Sequence, residues 1–579
     1  MKYILTITLL LCTCMAFSQA KKQAKTYIIN ANIVDVENQK ILNGLTVVIE
    51  GNRIVFVGEL QAPPNANVID AKGKYLMPGM VDAHVHFFQS GGLYTRPDII
   101  DLRNDYAYQK EIKWSHDNFE DQLRRYIQNG ITTVVDVGSA NNFLKQKHDF
   151  ADKSYAPQIY MAGPLLTSVL PDEFKGLEKN DEPFILFKTP KQAAQMVREQ
   201  LVYKPDLIKI WYVTELGNHK SAAENARNLL PCVIAMINEA HKNKLKVAVH
   251  ATERFTAQLA VQAGADYLVH GVDDEIIKDD FVRLLKKNHT ILCPTLMVDD
   301  GYENTFGQTL QFSSYEIAKS NPFQLGSLFD LKHLPDSEKI KLYKKKSISI
   351  KAKTNTRDSV RMVNVAKLAN AGITIVTGTD AGNIGTLHAT SYFTELKLMQ
   401  QSGMGNWQAI QASTTNGAKI LNKENDFGTI SAGKLANMIL LKGNPIADIS
   451  NLQKIQLVIN RGDAVNPDTL VHITPDALVQ QQLNAYNAHN LEAFLDTYAD
   501  DVELYDFPGK LVCKGKDQMR KIYGFLNNSP DLHCQVKSRI IQGGTVIYKE
   551  VVTGVSGLGE STAIYQTENG KIKKVYFIN

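Results

Sequence analysis

Cysteine is scarce in this chain: six residues in 579, none of them in a CxxC pair. That excludes the dense disulfide framework of small secreted domains. An excess of one charge sign is also missing. Against 60 Asp and Glu stand 64 Lys and Arg, a net +4, so no broad field is aimed at nucleic acid or an anionic lipid surface. There are no internal repeats or low-complexity tracts, and a composition of 44% apolar and 21% charged residues excludes long disorder and fibrous classes. Apolar runs of membrane-like character occur only at the extreme N-terminus, and the mean hydropathy is -0.20. What remains is a globular chain with room for three to four domains, at about 150 residues each.

The N-terminal run is MKYILTITLLLCTCMAFSQA. Lys2 supplies a positive start, Ile4 to Leu11 an apolar stretch too short to span a bilayer, and Ser18-Gln19-Ala20 small residues before Lys21. Residues 1–20 therefore read as a cleaved secretory signal, which places the mature protein in the periplasm or outside the cell; the alternative is an uncleaved anchor. Cleavage removes Cys12 and Cys14 and leaves Cys232, Cys293, Cys513 and Cys534. Buried free thiols are the expectation, with a Cys513–Cys534 bridge as the alternative.

Residues 21–75 alternate short β-rich runs with turns at Asn43-Gly44 and Gly51-Asn52. A similar texture returns at 426–472, in GTISAGKLANMILLKGNPI and LVINRGDAV. The two flanks are expected to pair into one small β-sandwich. Between them, residues 76–425 hold eight strand candidates: MVDAHVHF, ITTVVDVG, PQIYMAG, LIKIWYV, KVAVHAT, YLVHG, TILCPTL and ITIVTGTDAG. Most are followed by helix-like stretches. Near-continuous apolar strands alternating with helices mean a parallel sheet, and eight such units suggest a closed TIM-type (β/α)₈ barrel. The long polar and aromatic stretch at about 299–360 reads as a lid-like insertion over one barrel face. Residues 473–579 open with two helical segments and continue as alternating, hairpin-linked strands, a separate α+β domain.

The chemistry is dispersed but ordered. His84 and His86 end the first barrel strand, and alternate strand residues point the same way. Lys209 lies in the fourth strand, His250 ends the fifth, His270 the sixth and Asp380 the eighth. Active sites of such barrels lie at the C-terminal strand ends, so these six groups converge. Imidazole nitrogens and carboxylate oxygens are zinc-type ligands. A lone histidine at a strand end is ordinarily just a polar tip, but four with an aspartate in this order are not a chance set. Lys209, between Ile208 and Ile210, is costly if charged and unpaired. It is either an ion-paired core lysine or a carbamylated one, an anion able to bridge two metals.

Residues 25–470 resemble the amidohydrolase superfamily, in its imidazolonepropionase-like branch with prolidase-type dipeptidases. The carrying motifs are PGMVDAHVH, GITTVVDVG, DLIKIW, HA at 250–251, AGADYLVHG, TGTDAG and GTISAGKLANMILLKGNP. Asn437 departs from the pattern, which usually carries aspartate there. The resemblance implies two divalent metals, typically zinc, one held by His84, His86 and Asp380, the other by His250 and His270. A carbamylated Lys209 would bridge them; a mononuclear site is the alternative. It also implies hydrolysis of a C–N amide bond in a small-molecule substrate, peptidic or cyclic, by metal-activated hydroxide, because a bound zinc ion lowers the pKa of water to about 7. Asp380 would accept the water proton and pass it to the leaving amine. A lactone or ester is the alternative substrate. Tyr94, Arg96 and the 299–360 insertion are candidates for substrate contact.

Residues 475–579 resemble the SnoaL-like, nuclear transport factor 2-like fold, through QQQLNAYNAHNLEAFLDTYADDVELYDFPGKLVCKGKDQMRKIY and TAIYQTENGKIKKVYFI. The fold implies a cone that Tyr486, Tyr498, Asp501, Tyr505 and Asp506 can line. It is expected to serve here as a homo-oligomerisation or ligand-sequestering module. A decayed, non-enzymatic binding protein is the contrasting hypothesis, and the intact six-residue ligand set argues against it.

Overall fold

The computed structural model describes residues 24–214, 220–554 and 559–578, so the leader read at residues 1–20 lies outside the described residues. Seven of the eight barrel candidates form strands: Met80–Val85, Ile131–Asp136, Gln158–Met161, Leu207–Trp211, Lys246–His250, Tyr267–Val269 and Ile291–Cys293. All neighbouring pairs within the ladders are parallel. Met80–Val85 and Ile131–Asp136 are buried along their whole length, as strands covered on both faces must be.

The ring is not one closed ladder. The first three strands form one sheet, and the next four form the core of another. Two short strands missed in the sequence, Leu165–Thr167 and Phe184–Leu186, extend the second sheet. The eighth candidate is an extended segment held by single parallel bridges, Leu292 to Ile375 and Val85 to Ala381, and Ala162 to Leu207 joins the two sheets. Side chains explain the break. The Thr379 amide donates to the Asp82 carboxylate (3.1 Å), and the Phe87 and Gly138 amides donate to Asp136 (3.0 and 2.9 Å). Carboxylates thus take amide hydrogens that a continuous ladder would give to carbonyls.

The flanks do pair, in one eight-stranded sheet. Met438–Leu441 runs antiparallel to Tyr75–Pro78, which joins the C-terminal flank edge to edge with the N-terminal one. Its buried face gathers Ile33, Val47, Leu76, Met438 and Ile459 in one cluster.

In the C-terminal domain, helices Pro475–Asn487 and Leu491–Asp496 precede a six-stranded sheet. Of the residues expected inside the cone, Tyr486 and Tyr498 are buried there. Asp501 is exposed and paired with Lys573, Tyr505 donates to Glu503 (2.8 Å), and Asp506 meets Lys510 (3.2 Å), so none of these three is a buried interior group. The buried carboxyl is instead Glu550, which accepts from Tyr565 (2.8 Å). Cys232, Cys293, Cys513 and Cys534 are all buried and free.

This domain is not hung from the barrel on a tether. Helix Pro322–Ser327 of the insertion is gripped from both sides: Asn484 donates to the Pro322 carbonyl (2.6 Å), and the Leu93 amide donates to Ser327 Oγ (3.1 Å). Leu93 belongs to the loop after the first barrel strand, and it shares one buried cluster with Leu325, Val479 and Phe494. Removing the Leu325 side chain, which is fully buried, should cost about 2–5 kcal/mol. Because the cluster spans both domains, urea denaturation of Leu325→Ala followed by circular dichroism should show one transition shifted to lower urea. Two transitions with only one of them shifted would mean that the domains unfold independently.

Candidate metal centre

The site starts from two backbone placements. His84 in Met80–Val85 and His86 just after it turn to the same side, and the segment carrying Asp380 lies against them, with the Asp380 amide donating to the His84 carbonyl (2.7 Å) and the His86 amide to the Ala381 carbonyl (2.8 Å). Such a close approach requires glycine. A Cβ on Gly378 would stand 2.7 Å from the His84 amide nitrogen, and one on Gly382 would stand 2.5 Å from the His86 carbonyl oxygen. Asp380 and His270 both adopt left-handed backbone, with φ of 60° and 78°. Aspartate and histidine tolerate that region better than most residues, and such conformations gather at functional sites.

Three ligand atoms then converge. Asp380 Oδ1 lies 3.1 Å from His84 Nε2 and 3.1 Å from His86 Nε2, and the two imidazole nitrogens are 3.2 Å apart. His86 Nδ1 is 2.7 Å from the Gly138 carbonyl, which only accepts, so the proton of the neutral ring sits on Nδ1 and the Nε2 lone pair faces Asp380. A single proton on His84 cannot serve both neighbours, whereas a cation among the three atoms satisfies all of them. Ligand atoms 2.0–2.1 Å from a shared tetrahedral zinc ion stand about 3.3 Å apart, close to the spacing found. Among the described residues, His84, His86 and Asp380 form the group whose ligand atoms gather tightly enough to hold a metal.

His270 is the next layer outward. Its Nε2 lies 3.9 Å from Asp380 Oδ2, so the two carboxylate oxygens face two histidine groups. Its Nδ1 is 2.6 Å from Thr295 Oγ1, which itself donates to the Pro294 carbonyl; the hydroxyl therefore accepts from the ring and leaves Nε2 bare. The His250 ring stands 4.5 Å from His270, centroid to centroid, outside the tight group. Lys209 is buried and lines the same cavity. The fold thus brings all six sequence-derived residues to one place, three of them into immediate contact.

The electrostatics suit a metal. Burial pushes His84 down to about 4 and His250 to about 3, helped at His250 by Lys209, so both rings are neutral and able to coordinate. Burial also lowers Lys209 to about 8. At Asp380 burial acts upward, but the surrounding imidazoles outweigh it and hold the carboxyl well below the usual range. Asp82 and Asp136, which fix the backbone beside the histidines, are raised by burial to about 7 and about 6.

The other sequence candidates divide. Tyr94 donates to Asp330 (2.9 Å) and stacks on Tyr106, which makes it part of the insertion's anchorage. Arg96 lines the cavity, but its guanidinium is taken up by a forked pair with Asp98 (2.8 and 2.6 Å), by Asn383 (2.6 Å) and by Tyr302 (3.1 Å). Asn383 donates in turn to the Asp380 carbonyl (3.1 Å). Arg96 is therefore a clasp that ties the insertion to the Asp380 loop. The insertion does roof the cavity, through Tyr302, Phe306 and Arg357. Phe88, Phe184 and Trp211 also line it and were not picked out in the sequence. Only Trp211 carried a signal, two residues after Lys209 on one strand and so on the same face.

A family model described as the amidohydrolase family matches residues 75–465, and one described as a SnoaL-like domain matches residues 479–575. Among curated proteins, an adenine deaminase of Ruegeria sp. is 38% identical over 76 residues, a segment that spans 13% of this chain and 12% of that protein. Among solved structures, a Xaa-Pro dipeptidase with bound methionine in its active site aligns over 76% of this chain and 100% of its own, with a TM-score of 0.58 and 23% identity. Molinate hydrolase aligns over 77% and 96%, with a TM-score of 0.59 and 18% identity. At those identities the likeness is one of fold. With the family model spanning most of the chain and the His-His-Asp group at its barrel mouth, the chain belongs to the amidohydrolase family and carries a SnoaL-like domain after it.

Proposed function

We propose that the protein is an exported, metal-dependent hydrolase that breaks a C–N amide bond in a small molecule. The observation that carries this reading is the convergence of His84 Nε2, His86 Nε2 and Asp380 Oδ1 to 3.1–3.2 Å with the His86 proton held on the far side of its ring. The names of the relatives, a dipeptidase and an adenine deaminase, are those of enzymes that break C–N bonds. Divalent zinc fits the donor set, and when bound it supplies a Lewis acid and an acidified water.

The protein's own groups do the rest. His84 and His86 would hold the first ion with Asp380. His270, oriented by Thr295, and His250 offer the second position. Lys209 stands in the same cavity with its ammonium destabilised by burial. A neutral amine is the form that combines with carbon dioxide, so this lysine is suited to become the bridging carbamate, and two zinc ions are the preferred content. Asp380 faces both histidine groups, which lets it take a proton from water with one oxygen and return it to the leaving amine. Export follows from the leader read at residues 1–20.

Purified mature protein should contain one to two equivalents of divalent metal and lose amide hydrolysis on chelation, regaining it with zinc. Asp380→Asn should lower kcat by about 10²–10⁴-fold, the usual worth of a positioned acid–base group; a wild-type rate would remove Asp380 from that role. Lys209→Ala should reduce the metal content by about one equivalent, read by elemental analysis, and a full two-metal load in that variant would dismiss the bridge. N-terminal sequencing of the secreted or periplasmic protein should begin at Lys21.

A further inference from the structure

The cavity over the ligand cluster has a volume of about 740 Å³, room for much more than the scissile bond. Its two sides differ in kind. On the side of the first and fourth barrel strands, three rings form an arc. Phe88 lies 5.8 Å from the His86 ring and 6.1 Å from Phe184, Phe184 lies 5.1 Å from Trp211, and Trp211 meets His250 edge-on at 6.2 Å. Aromatic surface therefore runs unbroken from a histidine of one ligand group to a histidine of the other. None of these three residues makes a side-chain hydrogen bond among the described residues, so that wall offers a substrate aromatic packing, with the Trp211 indole N–H as its one polar group.

The facing side comes from the loops after the sixth and seventh strands and from the long helix Ser337–Asn370, and it is ionic. Three arginines line the cavity, and two of them are spent. Arg96 is forked onto Asp98, and Arg361 is held by Asp299, by Asp273 (3.3 Å) and by Asp358 (3.4 Å). Arg357 is different. Its side chain is half exposed, its nearest carboxylate is Asp273 at 3.8 Å from Nε, and it makes no hydrogen bond among the described residues. Arg357 lines the cavity with only that long ion pair, and a carboxylate is the planar anion a guanidinium fork receives.

Resting on the amide-hydrolase reading, we propose that the substrate is an N-acyl amino acid whose acyl group carries an aromatic ring, with the ring on Phe184 and Trp211 and the free carboxylate on Arg357. The opposed walls put ring and carboxylate on opposite sides of the scissile bond, which this class provides and an N-acetylated aromatic amino acid does not. Hydrolysis breaks the acyl C–N bond; the hydroxyl of water goes to the acyl carbon and its proton to the amine nitrogen, giving an aromatic carboxylic acid and an amino acid.

The test uses the full-length, zinc-loaded protein with N-benzoylglycine, its C-terminal carboxamide and N-acetylglycine, beside a broader panel of dipeptides and cyclic amides. Wild type should prefer benzoylglycine to both analogues. In Arg357→Met the ratio of kcat/KM for the acid to that for its carboxamide should fall about tenfold, mainly through KM. In Trp211→Leu the preference for benzoyl over acetyl should fall by about tenfold, within the range a hydrophobic pocket discriminates. Arg357→Lys, which keeps the charge and loses the fork, should recover only part of the acid preference. Unchanged ratios in both variants would overturn the assignment. Hydrolysis of other amides with none of benzoylglycine would overturn it while leaving the hydrolase reading intact, and no hydrolysis of any amide by metal-loaded protein would overturn both.

Discussion

A carboxylate kept charged out of contact with bulk water has to be compensated, and the bare His86 Nε2 that stands 3.1 Å from Asp380 cannot do it, which leaves the task to a cation among the three ligand atoms. Much of the surrounding structure serves that arrangement. Glycines at 378 and 382 let the Asp380 segment lie against the histidine strand, Asp82 and Asp136 pin the local backbone, and the Gly138 carbonyl fixes the tautomer of His86. The left-handed backbone at Asp380 and His270 is part of the same cost, accepted where ligand direction matters more than local comfort. A cation among these atoms turns a set of facing lone pairs into a stabilising one.

Outside that centre the protein is layered by how it is held. The barrel strands supply a floor that is rigid because it is buried on both faces. The insertion supplies a roof, and it is clasped to the floor by Arg96, Asn383 and Tyr302. The SnoaL-like domain then holds the insertion from behind, through helix Pro322–Ser327 and a core that runs without interruption into the loop after the first strand. The C-terminal domain is thus a structural neighbour of the active-site loops, and its helix Pro475–Asn487 spends part of one face inside the chain.

Strand alternation and burial made much of this legible beforehand. His84 and His86 point together because they are two apart on a strand, and His250, His270 and Asp380 could be placed because each follows an apolar run that ends where a barrel strand must end. The strand candidates all lie on strands or, in the eighth case, on the bridged segment. Less visible were elements without periodicity: the three-residue strands Leu165–Thr167 and Phe184–Leu186 are too short to show a pattern. In the cone, Asp501 and Asp506 looked like interior acids because composition does not say which way a residue turns, whereas Glu550 sits unremarked in an alternating strand. Arg96 looked free for a substrate because nothing local marks Asp98, Tyr302 and Asn383 as its partners.

By itself, then, the sequence determined the candidate ligand residues, the order of the strands that carry them and the presence of a second α+β unit, all properties set by local pattern along the chain. Tertiary structure decided the rest: flanks joined in one eight-stranded sheet, barrel strands split into two sheets linked by single bridges, one arginine only loosely paired among three, and a C-terminal domain docked on the insertion. Those outcomes depend on which distant groups meet, and a hydrogen bond or an ion pair formed across hundreds of residues leaves no periodicity in either partner.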